Sequence, residues 1–287
     1  MTQFTVEQID IQPEVLEHVR DALPDGDPYR GAIEDHRLEL RAHHHPTTFV
    51  TFQEGEPAGY AFVRHLPNKP EGVLDIIVPP SVDELTITET LLERVLEHTP
   101  MPLSWWTRAP RDLRSAELVA PYGGRAQRVV LRLERTIDEP LDVTLATRGF
   151  VDGDESEIVR INNEAFADHA DRSHLTENDI SEQLRLFGNR NEDLRLTAGG
   201  FCWTKRCTPS ESEVFVLAVD DAHRHLGLGE RLFVAALEHI RTNHRTKNVC
   251  LYVERDNTAA IRLYERNGFL DSGQTLYSVF IPERKRV

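Results

Sequence analysis

The segment Arg224-His225-Leu226-Gly227-Leu228-Gly229 joins a run that reads as a buried strand to one that reads as an amphipathic helix. Two glycines spaced by one residue at such a junction let consecutive backbone N–H groups turn toward one point, with no Cβ atom blocking the approach. The helix adds the positive end of its dipole, and Arg224 can add a cation. The chemistry this suits is the binding of a pyrophosphate. It is not the dinucleotide fingerprint, because no glycine follows three residues after Gly229 and the preceding strand does not open a βαβ unit.

Two side chains near this loop can move protons. Glu213 opens the Glu213 to Val219 strand, where a carboxylate can take the proton of an ammonium directly or through one water. Tyr264 stands on the helix after Asn257. A phenol, with a pKa of about 10 against about 8.5 for a thiol, stays protonated and can supply a proton to a departing thiolate. Leu217, Ala218 and Val219 offer main-chain N–H groups to a carbonyl oxygen or to ligand amides. Asn257 is placed to cap its helix and Gly268 to end it. A ligand-free glycine turn, a strand-end glutamate and a core tyrosine are the plain structural alternatives for these features. His43, His44 and His45 are adjacent in a predicted loop and cannot all face one metal, so no metal site is expected.

The composition sets the frame. A chain of 287 residues has room for two domains. No run approaches the ~18 apolar residues that cross a bilayer, and no secretory leader opens the chain, so a cytoplasmic protein with no membrane partner is expected. Cys202, Cys207 and Cys250 form neither a disulfide framework nor a paired zinc motif, which leaves reduced thiols. A net charge of -15, relieved only by Arg284, Lys285 and Arg286, excludes nucleic acid as an expected partner. It also disfavours an anionic ligand at long range, so such a ligand must rely on local dipoles and a few cations.

A repeat organises the elements. Gly59-Tyr-Ala-Phe-Val-Arg64 matches Gly200-Phe-Cys-Trp-Thr-Lys205, and Val73-Leu-Asp-Ile-Ile-Val78 matches Val214-Phe-Val-Leu-Ala-Val219, both at an offset of 141 residues. In the first half the spacing predicts strands over 48–52, 58–65, 73–78, 103–107 and 126–134, with helices over 82–97 and 112–119. In the second it predicts an opening strand over 143–148 and helices over 155–167, 177–187, 229–241 and 258–266. Further strands are predicted over 194–198, 201–206, 213–219, 248–254 and 272–281. The result is an α/β fold with a mixed sheet in each half and a linker at Asp138 to Asp142. At the same offset Arg224, Gly227 and Gly229 become Asp83, Thr86 and Thr88, and Glu213 becomes Gly72. An approximate alignment puts Ala120 where Tyr264 stands. One active site, in the second half, is expected.

Arg224, Gly227 and Gly229 fill the fixed places of the Q/R-x-x-G-x-G/A signature and so resemble the GNAT acetyltransferase superfamily, whose loop holds the pyrophosphate of coenzyme A. Phe201-Cys-Trp-Thr-Lys205, Glu213-Val-Phe-Val-Leu-Ala-Val-Asp220, Leu251-Tyr-Val-Glu-Arg-Asp-Asn257 and the helix to Phe269 together resemble the mycothiol synthase family, tandem GNAT enzymes of actinobacteria. That resemblance implies two tandem GNAT domains, 1–140 and 141–287, the first degenerate and the second catalytic. It implies acetyl-CoA as co-substrate and, as acceptor, the cysteinyl amine of a cysteine, glucosamine and inositol conjugate, with Glu213 as base and Tyr264 as acid. Acetyl-CoA would be held by Leu217, Ala218 and Val219, by Arg224, His225, Leu226, Gly227, Leu228, Gly229 and Glu230, and by Asn257, Thr258, Ala259, Ala260, Ile261 and Arg262. A remnant pocket would involve Ile76, Ile77 and Val78. The acceptor contacts would fall on Glu34, Asp171, Lys205, Glu213 and Tyr252. A tandem pair can satisfy internally the pairing that single GNAT domains find by dimerising, which allows a monomer. Two other readings stay open: acetylation of a protein N-terminus or another small amine, and a non-catalytic acyl-CoA sensor.

Overall fold

The repeat seen in the sequence reappears as strand register. In β3 (Glu56–Arg64) and β4 (Gly72–Ile77), Tyr60 faces Ile77; in β8 (Gly200–Arg206) and β9 (Glu211–Val219), Phe201 faces Ala218, each residue 141 further along. The computed structural model describes residues 4–25, 27, 29–41, 46–65, 70–81, 83–108, 114–167, 175–187 and 193–283. By packing, the chain divides into one unit of residues 1–131 with 273–287 and a second of residues 132–272.

In the first unit β1 (Phe4–Gln8), β2 (Thr47–Gln53), β3, β4 and β5 (Leu103–Arg108) lie side by side in chain order, followed by β11 (Leu270–Ile281) and β6 (Arg125–Thr136). The first four are antiparallel, and β4 and β5 are parallel because α3 (Glu84–His98) crosses between them. α3 buries Ile87, Leu91, Leu92 and Val95 on one face of the sheet. α1 (Pro13–Asp21) and α2 (Tyr29–Arg41) cover the other through Leu16, Val19 and Ile33. β1, α1 and α2 fall in a stretch where the periodicity gave no element. α4 (Ser115–Val119) begins three residues later than expected, and residues 109–113 lie outside the described ones.

In the second unit α5 (Glu155–Ala165) and α6 (Glu177–Phe187) lead to β7 (Leu194–Thr197), β8 and β9. Then come α7 (Leu228–His239), β10 (Asn248–Glu254) and α8 (Thr258–Arg266), and the strands lie in the order β6, β10, β9, β8, β7. Ile158, Ile161, Ile180 and Leu184 pack on Phe201, Trp203, Val216 and Ala218. α7 buries Leu232, Phe233, Ala236 and Leu237, and its last turn widens to a π turn at Ile240–His244. The strand expected over 143–148 is not formed: a single bridge joins Arg148 to Leu196, because β7 is only four residues long and offers no further ladder.

The expected boundary at 140/141 divides the duplicated sequence, whereas packing divides the chain elsewhere, at Leu131/Arg132 and Ser272/Gly273. Residues 276–281 of β11 run antiparallel to 103–108 of β5, so the end of the chain completes the first unit. The end of β6 belongs to the second unit, where Thr136 donates to Asn248 at 3.3 Å.

Candidate active site

Glu213 lies in β9 opposite Lys205 of β8 and beside Cys250 of β10. It is buried to 8 % exposure, and its carboxylate lies 3.3 Å from the Lys205 ammonium. The thiol of Cys207 donates to Glu213 Oε2 at 3.7 Å, and Lys205 Nζ lies 5.3 Å from the Phe215 ring centroid. A buried carboxylate is stable only with such partners. Burial pushes the Cys250 thiol far up, and the charges of Glu213 and Glu211 act in the same sense. Cys250 is therefore a neutral floor and not a nucleophile.

Just past Glu213 the sheet opens. Trp203 faces Val216 while its neighbour Thr204 faces Val214, so β9 carries one extra residue at Phe215, a β-bulge. Pairing of β9 with β10 runs from Glu211 opposite Asn248 to Val214 opposite Leu251 and goes no further. On that edge the backbone of Leu217, Ala218 and Val219 is outside the β10 ladder, so it can offer hydrogen bonds to a ligand lying between the strands. β9 is braced from beneath by Ser212, whose Oγ lies 2.9 Å from His244 Nδ1 and 2.6 Å from Thr246 Oγ1. His244 Nε2 lies 3.3 Å from Asp193 Oδ1, so the parts of a nucleophilic triad are present. Ser212 is fully buried, however, which leaves no path for an acyl donor and makes the group a brace.

The loop after β9 has the conformation its glycines allow. His225 and Gly227 have φ of 61° and 74°, and Gly227 precedes the first residue of α7. A Cβ at Gly227 would meet nothing within 4 Å, and one at Gly229 would meet only Val219 Cγ2 at 3.7 Å. The space around both is open to a ligand, and the first N–H groups of α7 have no partner within the helix. An anionic pyrophosphate fits this cradle. Arg224 is exposed and already engaged: it pairs with Asp221 at 2.8 Å and donates to the Ala165 carbonyl at 3.1 Å. Beneath the loop, Asp220 accepts from Arg160 at 2.9 Å and from the His223 backbone at 3.1 Å, and the Arg160 guanidinium holds its carboxyl below the usual range. The sequence reading missed Asp220, although an aspartate ending a strand before a tight turn is itself a capping signal.

α8 is fixed at both ends as expected. Asn257 accepts from Ala260 N at 3.1 Å. At the other end Phe269 N donates to the Tyr264 carbonyl at 3.0 Å and Gly268 N to that of Glu265 at 2.9 Å, a Schellman closure with Gly268 at φ 76°. Thr258, Ala259, Ala260, Ile261 and Arg262 form its first turns. The half-buried Tyr264 ring packs 5.1 Å from the Phe233 centroid on α7. Glu230, in the first turn of α7, receives Arg266 at 3.4 Å and Asn267 at 3.5 Å, which ties the end of α8 to the cradle.

Residues 156–269 match the acetyltransferase (GNAT) family. A protein of Thermomonospora curvata called mycothiol acetyltransferase is 33% identical over 77% of this chain and 78% of its own length. One of Saccharopolyspora erythraea with the same name is 34% identical over 75% and 79%. The chain belongs to the GNAT acetyltransferase family. Within it the chain groups with the mycothiol acetyltransferases, and it is an acyltransferase. The fold agrees: a tandem GNAT protein from the clavulanic acid biosynthesis pathway superposes with a TM-score of 0.73 at 14% identity, over 99% of this chain and all of that one.

The remaining expected contacts of this acetyltransferase lie on several elements. Lys205 meets Glu213 directly, and Tyr252 is exposed on β10. Asp171 and His43 to His45 lie outside the described residues. Glu34 is in the first unit, on α2, where it pairs with Arg20 at 3.3 Å and Arg37 at 3.2 Å. Ile76, Ile77 and Val78 are buried there.

The first unit departs from the second in the features that matter for chemistry. Its β3–β4 ladder has no bulge between Tyr60 and Arg64. A Cβ at Gly72 would sit 3.1 Å from Leu103 Cδ2 and 3.2 Å from the Arg64 carbonyl, which leaves no room for a longer side chain. Three residues further along β4, Asp75 is buried with His36 Nε2 at 3.2 Å, Arg64 at 3.0 Å and Arg108 at 3.3 Å, while His36 Nδ1 meets the Tyr60 hydroxyl at 2.9 Å. A closed ionic network occupies this part of the first unit. Among the described residues of both units, no helix is long and apolar enough to cross a membrane.

Proposed function

We propose that the chain acetylates the cysteinyl amine of 1D-myo-inositol 2-(L-cysteinylamino)-2-deoxy-glucopyranoside to give mycothiol, using one active site in the second unit and acetyl-CoA as donor. The observation that carries this is the buried Glu213 carboxylate beside Lys205, placed where β9 and β10 separate.

When bound, acetyl-CoA supplies the thioester. Gly227, Gly229 and the start of α7 would hold its pyrophosphate, with His225, Leu226, Leu228, Glu230 and the first turns of α8 around it. Backbone groups of Leu217 to Val219 would orient its amide chain in the opened edge. Glu213 accepts the proton of the acceptor ammonium; an α-amino group has a pKa of about 8, so the demand on the base is modest. Tyr264 donates a proton to the leaving thiolate, and Lys205 and Tyr252 contact the acceptor. Backbone groups of Ile76 to Val78 would line a remnant pocket in the first unit, where Asp83, Thr86 and Thr88 stand in place of Arg224, Gly227 and Gly229.

The test is chromatographic detection of acetylated product from purified protein with acetyl-CoA and either the cysteinyl conjugate or a simple peptide amine. Turnover of the conjugate is expected. Turnover of the peptide alone would overturn the reading.

A further inference from the structure

The Glu213 face of the second unit carries more polar groups than proton transfer needs. Glu211 lies two residues before Glu213, with the bulge falling later at Phe215, so both side chains leave the same face about 6.7 Å apart. Cys250 faces Glu213, and Tyr252 follows two residues on, again on that face. From β6, the next strand, Arg132 donates to the Glu211 carboxylate through Nη2 and to Glu134 Oε2 at 2.6 Å through Nη1. The Cys250 thiol, pushed up by burial first, feels Glu213, Glu211, Arg132 and Lys205 together, which places all four charges around it.

Burial along this row is graded. The Arg132 side chain is 9% exposed, that of Glu211 29% and that of Glu134 53%, so a buried guanidinium holds two carboxylates at an accessible rim. Both carboxylates are oriented by Arg132, and each retains lone pairs beyond the one that Arg132 uses. Oriented carboxylate oxygens accept well from hydroxyl groups. The group of Arg132, Glu134 and Glu211 is net negative by one charge, which disfavours a phosphorylated or carboxylated ligand. A neutral polyol suits it.

We infer that Glu211, positioned by Arg132, is a hydroxyl-binding subsite that reads the sugar part of the acceptor one residue pair away from the amine held at Glu213. This rests on the acceptor class proposed above. Glu211 and Tyr252 contact the polyol, whereas Arg132 is a positioning residue that acts through Glu211 and Glu134.

The test compares two acceptors at saturating acetyl-CoA: the full cysteinyl conjugate and cysteinamide, which keeps the amine and lacks the sugar. Wild-type turnover of the conjugate checks the acceptor class by itself. Given that turnover, the isosteric change Glu211→Gln should raise KM for the conjugate about tenfold, as expected for losing a hydrogen bond to a charged group, with kcat nearly unchanged. KM for cysteinamide should stay as it was. Arg132→Met should move the conjugate in the same direction and Arg132→Lys should recover part of the loss. An unchanged conjugate KM in Glu211→Gln, or equal losses of kcat with both acceptors, would overturn the subsite while leaving the acceptor class standing. If Arg132→Met does not fold, the Glu211→Gln result decides.

Discussion

Replacing Glu213 by Gln keeps the shape of the side chain and removes its charge and its capacity to take a proton. The amide oxygen can still accept from the Cys207 thiol and from Lys205, and Lys205 keeps the Phe215 face at 5.3 Å, so the fold should survive. A positioned base contributes about 10²–10⁴ in rate, equivalent to about 2.7–5.5 kcal/mol of barrier. The variant should therefore lose about 10²–10⁴ of kcat/KM toward the acceptor, with acetyl-CoA affinity unchanged, since none of the cradle is touched. Its residual rate must draw on amine already deprotonated by solvent. With an α-amino pKa of about 8, that rate should climb about tenfold per pH unit below neutrality and flatten above about pH 8. The measurement is initial product formation against pH, beside calorimetric binding of acetyl-CoA. A folded variant that binds acetyl-CoA and keeps a third of the wild-type kcat/KM at neutral pH would refute the base assignment.

Three further outcomes follow from the same geometry. Gly229→Ala adds a Cβ that meets only Val219 Cγ2 at 3.7 Å and sits near the start of α7, where Ala is favoured over Gly by up to about 1 kcal/mol. Thermal stability should hold or rise while KM for acetyl-CoA increases several-fold, and an unchanged KM would remove Gly229 from the cradle. Tyr264→Phe keeps the packing on Phe233 at 5.1 Å and should cost about 10² in kcat, with the melting temperature nearly constant; full activity would exclude the phenol as acid. Asp75→Asn leaves Arg64 and Arg108 without their shared carboxylate, a loss of about 3–5 kcal/mol by denaturant unfolding. Burial alone would raise the Asp75 carboxyl, but the His36 hydrogen bond and both arginines outweigh it and hold it well below the usual range. Its contribution is thus complete above the unfolded carboxyl value of about 3.9 and is lost as pH falls through the folded one. The stability gap between wild type and variant should be flat above about pH 5 and shrink in acid; a gap that widens in acid would contradict the network.

The cradle and both ends of α8 were legible from the chain because their causes are local. A glycine at positive φ, an asparagine that caps three residues on and a glycine that closes a helix act within one turn of themselves. The repeat was legible too, since the 141-residue offset is the register of two hairpins, Tyr60 with Ile77 and Phe201 with Ala218. Where the periodicity was weak, at β1, α1 and α2, it gave nothing. At 143–148 an alternating stretch found no strand long enough to pair with.

Sequence alone therefore determined the glycine loop, the capped helices and the asymmetry between Glu213 and Gly72, all of which are set by residue type and short-range backbone preference. Only the tertiary structure decided which strands are neighbours, because alternation fixes which face a side chain leaves from and says nothing of the partner strand. For that reason β11 could not be assigned to β5 beforehand, and the extra residue at Phe215 was invisible until its ladder was counted. Arg132 and Glu211, 79 residues apart, meet solely because β6 lies beside β10 and β10 beside β9.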